Sequence, residues 1–258
     1  MVVLAIGDIC AENGLSFLEK KLPLLRKLYS VELTIANGEN SAPGGLGINA
    51  SGAARIFSSG VDIITMGNHS FFTRGYENMY SSTYGLLRPY NLGKGIPGVG
   101  SIVYDKGRFS VLIVNLMGYA YMNLPVTNCY DAMDEILAGA GTKIVIVDFH
   151  AEYTSEKIAF ARNYDGKASL IFGTHTHVQT ADERIFPGGT AYITDIGMTG
   201  AKESVIGVDI SLAIRRQRYA VPTRLTPAVG ESILTGILVD IDEVTGRAKS
   251  IERISIED

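Results

Sequence analysis

Seven short runs of β-branched and other apolar residues recur along the chain, at 2–6, 31–36, 61–66, 110–116, 143–147, 169–172 and 191–194. Each stops at a polar or glycine-rich segment. Apolar runs without polar alternation are the pattern of strands buried on both faces. Apolar residues at helical spacing fall between several of them, at 15–29, 50–59 and 155–164, which favours an α/β layered fold over an all-β barrel. Pro23 interrupts the first helical segment, because proline removes a backbone donor and crowds the preceding turn. The stretches 232–242 and 247–256 alternate around Thr245-Gly246 and read as a hairpin at an antiparallel edge. The Pro/Gly-rich stretch 88–100 reads as a long surface loop. The run Arg215-Arg216-Gln217-Arg218 reads as a solvated strand or loop face. Without repeats, low-complexity tracts or a linker, the chain reads as one domain over 1–258.

Composition narrows the function. Of 258 residues, 46% are hydrophobic and 19% charged, which is enough to bury a full core. A net charge of −4 argues against broad coating of DNA or RNA. The two cysteines, Cys10 and Cys129, lie far apart outside any CxxC, so neither a disulfide framework nor a thiolate metal site is indicated. The first apolar run lacks a basic n-region and a cleavage motif, and no run reaches the roughly 18 apolar residues a bilayer requires. The expectation is a soluble cytoplasmic protein with no membrane partner.

All four histidines fall in three segments, Gly67-Asn68-His69, Asp148-Phe149-His150 and Gly173-Thr174-His175-Thr176-His177, each following a predicted strand. Asp8 follows the first strand and Asn37-Gly38-Glu39-Asn40 the second. In an open α/β sheet the crevice at the carboxyl ends of the strands takes ligands. Singly, each residue has a plainer reading: a hydrogen-bonded loop histidine, a helix cap for Asp8, a turn residue for Asn68. Jointly they point to a two-metal site, because carboxylate, amide and imidazole without thiolate suit iron, manganese or zinc. Gly44, Gly45 and Gly47 beside Glu39 point to close backbone approach. His175 and His177 would point the same way in an extended segment. Zinc-finger and HExxH patterns are absent. Asp148 and Glu152 either orient imidazoles or are solvated loop charges. Asp182, Glu183 and Arg184 read as an ion-pair cluster.

These segments, with Ala36 to Asn40, Thr65 to His69, Val147 to Glu152, Gly173 to Asp182 and Pro187 to Gly200, resemble the calcineurin-like metallophosphoesterases, most closely their bacterial YmdB-type branch. The resemblance spans essentially the whole chain. It implies a layered α/β/β/α sandwich with the metal site at the C-terminal ends of the strands. It further implies a phosphodiesterase for 2′,3′- or 3′,5′-cyclic nucleotides, acting by in-line attack of a metal-bridging hydroxide. Two metal ions are implied, iron or manganese first, with zinc or magnesium as alternatives. Carried onto this chain, Glu39 would bridge both ions, Asp8, Asn40 and His177 would hold the first, and Asn68, His150 and His175 the second. His69 would stay off the metals as proton donor.

The same centre could serve a phosphomonoesterase, such as a nucleotidase or phosphoprotein phosphatase. A metal-stabilised regulatory protein with weak catalysis is the reading from another class. The implied partner is a small phosphodiester, and a homo-oligomer is expected only because symmetric assemblies are common among soluble enzymes. Some positions depart from the branch. Ser70-Phe71-Phe72-Thr73-Arg74 stands where a Trp-Asp pair is usual, so the carboxylate that could orient His69 is missing there. The first loop reads Cys10-Ala11-Glu12-Asn13-Gly14-Leu15 in place of a glycine-rich stretch ending in Arg, and Tyr119 replaces an expected Arg. Cys10 also occupies the position of a histidine in the wider superfamily, as in the YmdB branch.

Overall fold

Strands that are apolar on both faces must be covered on both, and two stacked sheets between outer helices satisfy that demand. The computed structural model describes residues 1–122 and 124–258. In chain order its elements are β1 (Val2–Ile6), β2 (Asp8–Ile9), α1 (Ala11–Leu28), β3 (Leu33–Asn37), α2 (Ala50–Ser58), β4 (Ile63–Thr65) and α3 (Tyr76–Ser82). Then follow β5 (Ser101–Asp105), β6 (Ser110–Met117), α4 (Cys129–Ala138), β7 (Ile144–His150), α5 (Thr154–Asn163), β8 (Leu170–Thr174) and β9 (Arg184–Ile185). The last are β10 (Ala191–Ile193), β11 (Met198–Ala201), α6 (Ile210–Tyr219), β12 (Ser232–Ile241) and β13 (Ala248–Glu257).

One sheet has the order β2-β11-β12-β1-β3-β4, with β13 also pairing along β12; the second has the order β5-β6-β7-β8-β10-β9. Alternation along a single strand explains the layering. Leu4 and Ile6 of β1 join the apolar layer under α1 and α2, whereas Val3 and Ala5 join the layer between the sheets. The same inter-sheet layer takes Val111, Ile113, Ile144, Ile146, Leu170 and Phe172 from the second sheet. Val145, Val147 and Ile171 face outward onto α4 and α5. This is the expected α/β/β/α sandwich. Because β1, β3 and β4 run parallel, as do β6, β7, β8 and β10, the carboxyl ends within each group lie together.

Several local expectations change. Helix α1 runs through Pro23, which sits on its exposed face. The cost of roughly 3 kcal/mol for an interior proline is offset by Leu15, Leu18, Leu22 and Leu25, all buried on the other face, each worth about 1.5–3 kcal/mol. The arginine run 215–218 lies in α6 rather than in a strand or loop; only Ala213 of that helix is buried, so it carries no apolar periodicity to read. Of the C-terminal hairpin only β13 is an edge, since β12 is paired along both sides. The stretch 88–100 is not simply superficial, because Arg88 is buried and its guanidinium donates to the carbonyls of Pro89, Tyr90 and Pro97. Among the described residues no helix is long and apolar enough to cross a membrane.

Candidate metal centre

Each expected site residue is delivered by a strand end. Asp8 lies in β2, Glu39 and Asn40 follow β3, Asn68 and His69 follow β4, His150 ends β7, and His175 and His177 follow β8. The turn after β3 is held by Asn37, whose side-chain oxygen accepts from the Glu39 amide at 3.0 Å.

The structure brings the residues together in two adjoining groups. In one, Nε2 of His150 lies 3.0 Å from Asn68 Oδ1, 3.1 Å from His175 Nδ1 and 3.3 Å from Glu39 Oε1. The ligand atoms of Glu39, His150 and His175 all fall within 4.8 Å of one another. In the other, Nε2 of His177 lies 3.0 Å from Asn40 Nδ2 and 3.6 Å from Asp8 Oδ1. Glu39 adjoins both groups, since Asn40 Nδ2 is 3.4 Å from its Oε1. Cys10 Sγ lies 3.6 Å from Nδ1 of His177, the ring nitrogen facing away from Asp8 and Asn40.

The donor chemistry fits cations. Asp8 Oδ1 is buried and has no hydrogen-bond donor among the described residues. The facing nitrogens of His150 and His175 can share at most one proton between them. Buried acceptors aimed at one another are costly unless a cation satisfies them. Backbone space agrees: a Cβ at Gly67 would overlap the Glu39 carboxylate and the His150 ring. The glycines flagged in sequence do other work. Gly45 and Gly47 adopt left-handed φ of 78° and 82°, and an added Cβ at Gly44 would meet nothing within 4 Å.

Electrostatics follow the same layout. Burial pushes the Asp8 carboxyl up, yet His177 and His150 hold it below the ordinary aspartate value. Burial of Glu39 is likewise outweighed by His150 and His69, which hold it well below the carboxylate range. Burial lowers His150 and His177, but Glu39 raises the first, and Cys10 and Asp8 carry the second well above an ordinary histidine. His175 falls to about 3, because burial and neighbouring His150 both disfavour its charge. Neutral imidazole is the form that ligates metals.

The loop carrying His175 and His177 is not extended; their φ values are 100° and 63°, a region that costs non-glycine residues of order 1–3 kcal/mol each. The two rings therefore reach different groups for a reason other than the expected i, i+2 alternation. What holds the strained loop is a buried brace that sequence reasoning missed. Lys157 Nζ of α5 donates to Asp195 Oδ2 at 2.7 Å and to the Thr174 carbonyl at 2.9 Å. Asp195 also accepts from the Thr176 amide at 3.1 Å.

Asp148 is a second buried anchor. It accepts from Asn37 Nδ2 at 3.2 Å, from Thr174 Oγ1 at 2.7 Å, and from Thr65 Oγ1, joining both sheets beneath the site. Burial raises its pKa to about 6. Thr174 Oγ1 in turn contacts His150 Nδ1 at 2.9 Å, so Asp148 orients that ring through a threonine. Glu152 Oε2 meets His175 Nε2 directly at 3.1 Å.

His69 stands at the margin, 19% exposed, with Nδ1 3.0 Å from Asn40 Oδ1 and 3.2 Å from Glu39 Oε1. Its orienting carboxylate thus comes from the turn after β3 and not from the loop that follows it. The Phe72 ring packs edge-on against it at 4.8 Å. A cavity of about 740 Å³ opens over Glu39, Asn40, His69, His175 and His177, within the usual range for small-molecule sites.

Comparison with known proteins places this architecture. The family described as YmdB-like protein matches residues 4–254. The 2′,3′-cyclic-nucleotide 2′-phosphodiesterase of Bacillus subtilis (strain 168) is 41% identical, over 100% of this chain and 98% of that protein. A crystal structure of a novel phosphatase from Mycoplasma pneumoniae superposes with a TM-score of 0.95 at 33% identity, covering 100% of this chain and 93% of that one. A hypothetical protein from Thermus thermophilus gives 0.94 at 36% identity, with 100% of both chains covered. The calcineurin-like phosphoesterase YfkN of Bacillus subtilis, 12% identical, shares the fold with a TM-score of 0.57, over 100% of this chain and 90% of that one.

Proposed function

Because the chain belongs to the YmdB-like family, we propose that residues 1–258 act as one metal-dependent phosphodiesterase domain that opens the cyclic phosphodiester of 2′,3′-cyclic nucleotides, with 3′,5′-cyclic nucleotides as second substrates. The observation that carries this reading is the convergence of buried Asp8, Glu39, Asn40 and His150 with half-buried Asn68, His175 and His177 beneath an open cavity, with Asp8 Oδ1 left without a hydrogen-bond donor among the described residues. Asp8 and His177 would hold one ion and Asn68, His150 and His175 another, with Glu39 next to both; Asn40, whose Nδ2 faces His177 while its Oδ1 meets His69, would join the first ion through Oδ1 once its amide turns over. Their nitrogen and oxygen donors suit iron or manganese, with zinc or magnesium as alternatives. Bound there, the ions supply a nucleophilic water near neutral pH and Lewis acidity toward the phosphoryl oxygens.

The chain's own residues do the rest. Asn40 and Glu39 fix the His69 ring through Nδ1, which leaves Nε2 to hold a proton for the departing sugar oxygen. Glu152 keeps the His175 ring in place from the side away from the cluster.

Protein loaded with manganese is expected to hydrolyse 2′,3′-cyclic AMP. Dialysis against a chelator should lower the rate by at least about a hundredfold, and added manganese should restore it. A rate indifferent to chelation would contradict the reading, as would two-metal protein inert toward cyclic nucleotides and aryl phosphodiesters alike. Comparing phosphate monoesters with diesters at equal metal loading separates it from a phosphomonoesterase.

A further inference from the structure

A block of positive charge adjoins the cavity of this acidic chain, and two of its four arginines line it. Between 210 and 227 the sequence carries Arg215, Arg216, Arg218 and Arg224 and no Asp or Glu. The first three lie on α6. Beyond it Ala220 takes a left-handed φ of 51°, the chain turns back, and the Asp209 amide donates to the Thr226 carbonyl at 3.0 Å. This return strap is tied into the site, because Ile206 just before α6 accepts from His177 Nδ1 at 2.9 Å. Arg216 and Arg224 both line the cavity along with Glu39, His69 and His175, whereas Arg215 and Arg218 do not.

Cations in the last turn of a helix complement its dipole, which accounts for Arg216 and Arg218 but not for Arg224, five residues past the helix end. Arg184 and Arg253 are each paired with a carboxylate. Among the described residues, Arg216 and Arg224 have no such partner. Two unpaired guanidinium groups lining one cavity are suited to a phosphate, whose oxygens match their fork of donors.

We infer that Arg216 and Arg224 bind a second phosphate of the substrate, on the 5′ side of the sugar whose cyclic diester is cleaved. The inference rests on reading the donor cluster as a phosphodiesterase centre. The preferred substrate is then a 2′,3′-cyclic nucleotide that also carries a 5′-phosphate, either free or as the link to the preceding residue of a ribonucleotide chain.

The test compares kcat/KM for 2′,3′-cyclic AMP, its 5′-phosphorylated form, and an adenosine dinucleotide ending in a 2′,3′-cyclic phosphate. Wild-type protein should favour at least one of the 5′-phosphate substrates by about tenfold to a hundredfold, the worth of charge-assisted hydrogen bonds, mainly through KM. Which one is favoured identifies the source of the phosphate. The double variant Arg216→Ala/Arg224→Ala should bring the ratio to about one, while Arg215→Ala/Arg218→Ala, with the same change in charge, should retain it. No preference in the wild type, a preference surviving the first variant, or equal loss in the second would overturn the inference. Absence of hydrolysis of all three substrates would instead strike the phosphodiesterase reading itself.

Discussion

A His69→Ala variant is expected to lose about a hundredfold to ten-thousandfold in kcat on 2′,3′-cyclic AMP while keeping its metal content and its Tm. That range is the usual contribution of a positioned general acid. Two observations separate His69 from the ligand set. Its Nδ1 is engaged by Asn40 and Glu39, so the ring meets the cluster through hydrogen bonds and presents Nε2 elsewhere. It is also partly exposed on the cavity wall, where His150 is fully buried. Removing it should therefore leave the cluster filled but deprive the leaving oxygen of its proton. Because the loss belongs to the transition state, kcat and kcat/KM should fall together. Unchanged turnover would contradict the role, and loss of metal would move His69 into the ligand set.

The second large effect is expected at a residue with no side chain. Gly67→Ala should abolish most metal binding and lower kcat/KM by more than about a hundredfold, with a Tm loss of only several degrees. The backbone there is not left-handed, so alanine itself is tolerated by the main chain. The added methyl would instead displace the His150 ring of one group and the Glu39 carboxylate, which adjoins both. Overpacking of this kind costs about 1–3 kcal/mol, roughly 2–4 °C per kcal/mol in a protein of this size. Gly93→Ala is the matched control, because a Cβ there meets nothing, the residue lies outside the cavity, and activity should stay within about twofold. Equal metal content in both variants would contradict the account.

The layered fold was legible because the strands of both sheet interiors are apolar on both faces, which leaves continuous runs in the sequence. Strand β11 was not legible, because Met198-Thr199-Gly200-Ala201 carries no such run. Helix α6 was missed for the opposite reason: it buries almost nothing, and its arginines read as surface. At the centre, histidines and carboxylates at strand ends could be found from spacing to predicted strands. Their support could not. Lys157 reads as an ordinary helix lysine, and its bond to Asp195 spans 38 positions of sequence. Asp148 acts through Thr174, an indirect contact that no spacing encodes. Gly67 reads only as part of a motif; that it makes room for the Glu39 and His150 side chains depends on a rotamer arrangement visible in three dimensions.

Side chains from separate strand ends are proposed to hold two cations, with the Glu39 carboxylate serving both. Elemental analysis of protein reconstituted with manganese and then desalted tests it most directly, run side by side on wild type and Glu39→Gln. The account predicts two ions per wild-type chain and a marked loss in the variant, which removes a negative charge from between two cations. One ion or none in the wild type, or two held equally well by Glu39→Gln, would contradict it.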